Sequence, residues 1–342
     1  MIEVALVGAG RIGAVHGQNA AAHRDLRLAA IDDPDGAAGA ALAAQTGARL
    51  ASLDEILADP GIAGVIIASP TAEHLAQATA CIAAGKAVLL EKPLDLDLNR
   101  AQAAAGALSG RRLLVGFNRR FDPHFAALKA HLDSGAIGSL ETLHIISHDP
   151  APPGAAYSRS SGGLFKDMAI HDFDIARWLL GEEPVSVVAA ASRLVDPDST
   201  DDLDGDTAKV VLATASGRLA VISNSRRSGY GYDQRVEAFG AKGRAGVGNV
   251  GATETDLWTE AGRTASRLKH FFLDRYADAY RRELDHFADI LAGRAAPAVS
   301  YADGLAALAL AEAAALSART GVKIAIPGPA NSIGEQAPPS LR

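Results

Sequence analysis

Short apolar runs alternate with longer stretches of helical period through the first 120 residues. Ile2–Val7, Leu26–Ile31, Val65–Ala68, Ala87–Leu90 and Leu113–Val115 are nearly continuous in apolar residues and read as strands. Arg11–Ala22, Ala37–Thr46 and Ala72–Ala84 lie between them and read as helices, the last stopped by Gly85. Strands apolar on both faces, separated by helices, predict a parallel sheet covered on both sides. Such a sheet takes ligands beyond the carboxyl ends of its strands.

The pattern changes after Phe121. A helix Pro123–Leu132 leads into a strand Leu140–Ser147, a loop Asp149–Gly163 rich in Pro, Gly and Ser, and a helix from about Leu164 to Leu180 that stops at Gly181. Val185–Leu194, Thr207–Thr214, Arg218–Ser223, Gln234–Phe239 and Gly243–Val247 read as strands joined by turns such as Ala215–Arg218, which favours antiparallel pairing. Helices return at Arg275–Leu291 and Ala302–Ser317. The chain is therefore expected to be α/β, with one domain over residues 1–120 and an α+β domain over 121–342 built on a large, open, mostly antiparallel sheet. The loop Asp196–Asp206, with six aspartates, lacks calcium-loop spacing and reads as a solvated connection, and the tail Pro329–Arg342 as frayed.

Composition narrows the field. The 342 residues carry a formal charge of −7, with 48% hydrophobic and 21% charged residues, so neither nucleic acid nor an anionic membrane is an expected partner. No apolar run approaches a membrane span, and the N-terminus reads as a strand rather than a signal peptide. The lone cysteine, Cys81, sits in an alanine-rich helix and reads as a buried small side chain. A cytoplasmic location is the expectation. His144 and His148 share one strand face without an evident third ligand, so no metal site is expected.

Gly8-Ala9-Gly10-Arg11-Ile12-Gly13 follows the first strand and opens the first helix. In that context G-x-G-x-x-G binds a dinucleotide: Gly8 permits the turn, Gly10 admits the pyrophosphate, and Gly13 lets helix and strand meet. The helix N-terminus offers unpaired N–H groups to the anion. Asp33 lies 20 residues after Gly13, with Asp32 beside it, at the end of the second strand, where a carboxylate accepts from ribose hydroxyls. No arginine stands there for a 2′-phosphate, so NAD is the expected cofactor on a Rossmann-like domain.

Asp167 and His171 are four apart in an otherwise apolar helix, with Asp174 extending the stripe. Two readings stay open: a satisfied buried network, or a base with its orienter, His171 taking a proton from a substrate hydroxyl and Asp167 orienting it. Lys92 follows the strand Ala87–Leu90 at the expected cofactor edge. It is either a surface lysine or a cation placed to stabilise an oxygen from which hydride is removed. The Lys92–Pro93 bond is a candidate for the cis form.

These residues resemble a known family. The fingerprint Gly8–Gly13, the segment Ser69-Pro70-Thr71-x-x-His74, the block Glu91-Lys92-Pro93 and the pair Asp167-x-x-x-His171 are similar to those of the glucose–fructose oxidoreductase, inositol dehydrogenase and rhizopine-catabolism (Gfo/Idh/MocA) oxidoreductases. The resemblance runs from Ile2 to about Ser317 and implies NAD-dependent oxidation of a CH–OH group by a Lys92–Asp167–His171 set. It also implies that Ser69, Thr71, His74 and Glu91 join Arg11 and Ile12 around the cofactor. The second sheet is implied to make the contacts of a dimer or tetramer. Within the family the likeness is to inositol 2-dehydrogenases, through Gly116–Asp122, Asp149-Pro150 and Tyr230–Asp233. It makes Asn118, Arg119, Asp149 and Tyr232 candidate contacts to a cyclic polyol. Asn118, Asp149 and the loop Pro152–Ser161 depart from the pattern, so scyllo-inositol or an aldopyranose are alternatives to myo-inositol, and a non-catalytic NAD-sensing regulator is a remote one.

Overall fold

The computed structural model describes residues 1–196 and 205–326. Its first sheet has six parallel strands, β1 (Ile2–Val7), β2 (Leu26–Asp32), β3 (Arg49–Leu50), β4 (Ile62–Ile67), β5 (Ala87–Leu90) and β6 (Leu113–Val115), in the order β3-β2-β1-β4-β5-β6. The order reverses between β1 and β4, which opens a crevice at their carboxyl ends. Register brings those ends level: Val7 pairs with both Asp32 and Ile67, Ile67 with Leu90, and Leu90 with Val115. The glycine loop, Asp33, Ser69 and Lys92 therefore leave the sheet along one edge.

The predicted strands and helices of this half are present. β4 begins at Ile62, earlier than its apolar run suggested, because Gly64 interrupts the pattern there. Helices Leu53–Ala58 and Leu98–Leu108 are additional. Both carry local start signals: Ser52 and Glu55 form a capping box, and Asp97 accepts the N–H groups of Asn99 and Arg100. Cys81 is fully buried, and burial pushes its thiol up to about 12, so it is a packing residue.

The second sheet uses β7 (Leu140–His148), β8 (Pro184–Ser192), β9 (Thr207–Thr214), β10 (Leu219–Ser225), β11 (Asp233–Gly240) and β12 (Gly243–Val247). A separate hairpin pairs β13 (Asp256–Thr259) with β14 (Gly262–Ala265), and β15 (Ile324–Ala325) adds an edge to β8. The order β12-β11-β7-β10-β9-β8-β15 is antiparallel except that β7 and β10 run parallel. That pair sets Asp149 beside Ser225 at the sheet end, Asp149 donating its N–H to the Ser225 carbonyl at 2.8 Å. Two predictions need correction here. The segment read as one helix from 164 to 180 is a π-helical turn, Leu164–Ala169, continued by an α-helix, Ile170–Leu180, and the loop 149–163 contains a short helix, Ala155–Ser160. Most of the aspartate loop (197–204) and the tail from 329 lie outside the described residues.

Tyr301–Thr320 is long and apolar enough to span a membrane by composition, yet Tyr301, Ala307, Leu308, Leu310, Ala311 and Ala314 are buried among other elements, as in a core helix. The core of the first sheet also recruits distant chain. Leu284, Phe287, Ala288 and Ile290 of helix Ala277–Leu291 pack into it. Phe287 sits over Gly64, where an added Cβ would lie 3.0 Å from its Cζ and 2.7 Å from Leu291 Cδ2. Removing the Phe287 ring leaves a cavity at this joint. Phe287→Ala is expected to lower unfolding free energy by about 3–5 kcal/mol, read as a drop in urea midpoint at unchanged slope.

Candidate active site

The glycine loop is built for close approach. Gly8 has φ +92°, and a Cβ there would stand 2.6 Å from the Ala68 carbonyl and Ser69 N. A Cβ on Gly13 would fall 1.9 Å from the Gly8 oxygen, so helix Arg11–Ala22 can dock only without one. At Gly10 a Cβ would meet nothing within 4 Å, and no side chain caps the helix there. Open space before an uncapped helix N-terminus is what a dinucleotide pyrophosphate fills.

The two acids after β2 separate, as consecutive strand residues must. Asp33 accepts the Ala9 N–H from the glycine loop and the Asp35 N–H at 2.7 Å. Asp32 faces the start of helix Leu53–Ala58. Burial pushes its carboxyl up against a hydrogen bond from the Leu53 backbone. Of the two acids, it is Asp33 that bonds the glycine loop.

Ser69 and Thr71 follow β4 directly opposite Gly8, Ser69 donating its hydroxyl to Gln77 Oε1 at 2.6 Å. His74 and Glu91, expected at the cofactor, are both buried. The His74 ring faces the Pro93 carbonyl at 2.8 Å and the Ser69 carbonyl at 3.0 Å, and burial lowers its affinity for a proton. It braces the β4 loop against the Lys92–Pro93 turn, whose peptide is cis. Glu91 bonds to His16 Nε2 at 2.8 Å. Arg11 leaves the first helical turn toward the second domain, its guanidinium 5.7 Å from the Tyr157 ring centre, while Ile12 packs on the second core.

Lys92 and Asp167 meet across the two domains. Lys92 Nζ donates to the Asp167 carbonyl at 2.9 Å and to Oδ1 at 3.3 Å. Tyr157 donates to Oδ1 at 2.8 Å, and Arg226 to Oδ2 at 3.0 Å. Burial works against the Lys92 charge, but Asp167, then Tyr157 and Glu91, outweigh it and hold the ammonium above its usual range. Burial likewise opposes the Asp167 charge, and Lys92 and Arg226 hold its carboxyl low. The result is a charged, buried pair.

His171 lies near that pair without joining it. Among the described residues Asp167 makes no hydrogen bond to His171, because its oxygens serve Lys92, Tyr157 and Arg226. The expected orienting bond is thus absent. Packing fixes the ring instead, edge-on to Phe117 with centroids 6.0 Å apart. Its Nδ1 is buried with no partner among the described residues. Burial, then Lys92 and Arg119, hold the imidazole well below its usual pKa, so it is neutral at pH 7. Asp174, read as part of the same stripe, turns away to Arg120 at 2.6 and 2.8 Å.

The four polyol candidates divide. Asp149 pairs with Arg226 at 3.6 Å, and burial raises its carboxyl to about 6. Tyr232 is buried, edge-on to Tyr276 at 6.0 Å, with a phenol pushed well up by burial. Asn118 is buried in the turn Asn118–Phe121. Arg119 is buried, and its Nη1 donates to Asp172 at 2.5 Å and to Ser147 at 3.2 Å. Tyr230, by contrast, is exposed and donates to Asp233 at 2.6 Å.

Sequence reasoning missed Tyr157, Arg226 and Asp172. Tyr157 sits in a segment with no helical signature, and Arg226 reaches the site only through the parallel β7–β10 pairing. Asp172 had a signal, since a fully buried acid in an apolar helix needs partners. It finds Arg119, Ser147 at 2.6 Å and Asn224 at 2.7 Å.

Comparison with known proteins gives two family matches. Residues 2–135 match the oxidoreductase family with an NAD-binding Rossmann fold, and residues 125–246 the GFO/IDH/MocA C-terminal domain. The chain is 46% identical to an inositol 2-dehydrogenase of Rhizobium meliloti (strain 1021), over 92% of this chain and 96% of that one. It is 43% identical to a myo-inositol 2-dehydrogenase of Thermotoga maritima, over 92% and 95%. The crystal structure of the scyllo-inositol dehydrogenase from Lactobacillus casei with bound NAD(H) and scyllo-inositol superposes with a TM-score of 0.87 at 26% identity, covering 95% of this chain and 99% of that one.

Gly10 and Gly13 are expected to fail differently when given a side chain. Gly10→Ala should leave stability unchanged and raise the dissociation constant for NAD by roughly 10- to 100-fold, the effect of about 1–3 kcal/mol of overpacking in the bound state. Gly13→Ala should lower the melting temperature as well, because its Cβ collides with backbone in the free protein. Calorimetric titration and thermal unfolding of both variants separate the cases.

Proposed function

The chain belongs to the GFO/IDH/MocA oxidoreductase family, and on that footing we propose that it is an NAD-dependent dehydrogenase oxidising a secondary hydroxyl of a cyclic polyol, myo-inositol, to the ketone. The observation that carries this reading is the cation–imidazole pair at the cofactor edge. Lys92 is charged and fixed by Asp167, while His171 is neutral. A neutral imidazole can take the proton of a substrate hydroxyl. An ammonium beside the same oxygen stabilises the negative charge that develops there. Because Lys92 keeps its proton, the two roles do not compete.

Gly8, Gly10, Gly13 and Asp33 would hold NAD, which when bound supplies the acceptor for the hydride leaving carbon. Asp167 acts through Lys92, keeping it protonated and in place. Tyr157 and Arg226 hold Asp167 in turn. Asp149 and Tyr232 offer an acceptor and a hydroxyl to the ring of a polyol. Scyllo-inositol is the second reading, favoured by the structural likeness to a protein that binds it.

Val185, Val188, Val211, Leu219 and Phe239 are exposed on the second sheet. An apolar face of that kind supports a homo-oligomer, tetramer or dimer, formed through it. The absence of any possible intrachain disulfide fits a cytoplasmic protein.

Purified protein with NAD should form NADH on myo-inositol, followed by absorbance, in parallel with scyllo-inositol, chiro-inositol and glucose. A rate on glucose alone moves the protein to a sugar dehydrogenase, and no rate on any of them with NAD bound overturns the assignment. Lys92→Ala should lower kcat by about 10²–10³. Asp149 loses its charge as pH falls through about 6. If it accepts from the substrate, kcat/KM declines below that pH in the parent protein. Asp149→Asn should then remove this limb and leave the lower one from His171.

A further inference from the structure

Helix Ala277–Leu291 brings an acid into the seam behind the cofactor edge. Glu283 is fully buried, and both its carboxyl oxygens are without a hydrogen-bond partner among the described residues. One donor atom each of Glu283, Glu91 and His16 lie within 4.8 Å of one another. The three come from separate places: His16 from the helix behind the glycine loop, Glu91 from the turn that carries Lys92, and Glu283 from the far end of the chain. Glu91 Oε1 meets His16 Nε2 at 2.8 Å, and Oε2 accepts the Lys92 backbone N–H at 3.2 Å. The Tyr280 ring stands edge-on to His16 with centroids 5.6 Å apart.

Two carboxylates cannot both hold their charge in this seam. Glu91 has His16 and the Lys92 N–H. Glu283 has no cation. From the turn Asn118–Phe121, Arg119 is committed to Asp172 and Arg120 to Asp174 and Asp303, while Arg275 is committed to Asp122. What faces Glu283 is Glu91 from the turn, His16 from the first helix and Tyr280 from its own helix. Burial first, and then the Glu91 charge, push its carboxyl well above the ordinary range. The 2.8 Å hydrogen bond between His16 Nε2 and Glu91 Oε1 satisfies both of those atoms without a bound ion.

We propose that Glu283 is a neutral carboxylic acid facing the His16–Glu91 pair, and that this seam positions Lys92 against the dinucleotide-binding helix. Glu283 is a positioning residue that acts through Glu91, and the proposal rests on the dehydrogenase reading for its effect on rate. An amide copies the shape and the donor of the acid. Glu283→Gln should therefore keep kcat within about threefold, while Glu283→Leu, similar in size but without a donor, should lower it by on the order of tenfold or more with little change in polyol KM, since misplacing a catalytic group by ~1 Å can cost about 10²-fold.

A second readout does not depend on activity. The fold holds a proton that the unfolded chain releases near the usual glutamate pKa, so the folded protein binds more protons above that pH. The parent protein should lose stability as pH rises from the usual glutamate range toward the raised value, and Glu283→Gln should lack that loss. Parallel stability curves for the two proteins would overturn the proposal, as would one metal ion per chain by elemental analysis or a Gln variant as slow as the Leu variant. If no polyol is oxidised, the stability curves still decide the state of Glu283, and the failure belongs to the functional assignment.

Discussion

The pairing of Lys92 with Asp167 is the constraint on which the rest of the site depends. The lysine leaves the carboxyl edge of a parallel sheet, and the aspartate comes from a helix of the second domain. Burying either charge alone would be costly, and each would shed its charge before entering an apolar seam. Together, with Tyr157 and Arg226 on the remaining lone pairs, they stay ionised at the place where a substrate oxygen needs a cation.

That pairing also leaves His171 without a bonded carboxylate from Asp167. A carboxylate bonded to His171 would favour its imidazolium form. Here the carboxylate is consumed by cations, and the imidazole is held neutral by burial and by the positive charges of Lys92 and Arg119. One arrangement thus sets two protonation states, a charged lysine and an uncharged base, from the same few side chains.

Beneath this layer lies a second one of braces. His74 ties the β4 loop to the cis turn, Asp172 holds Arg119 against β7, and Glu91 joins that turn to the first helix through His16. Such residues are hard to separate from ligand contacts in a sequence. They occur in the same motifs and have the same polar character, and only the direction of the side chain distinguishes them.

The amino-acid sequence determined whatever is local or periodic. The strand and helix alternation of residues 2–115, the switch to short-turn strands after 140, the glycine loop with its following acid, and the places of Lys92, Asp167 and His171 were all legible. Each depends on spacing along the chain or on the conformational demands of Gly8, Gly10 and Gly13. Tertiary structure alone decided who meets whom. It turned Asp33 toward the glycine loop and Asp32 toward helix Leu53–Ala58, gave Asp167 to Lys92 rather than to His171, and paired Arg119 with Asp172. It also brought Arg226 in through the one parallel pair of the second sheet, and Glu283 from nearly 200 residues beyond Glu91. The physical reason is that a buried polar group is satisfied by whatever partner packing delivers, and the distance along the chain to that partner carries no local signature.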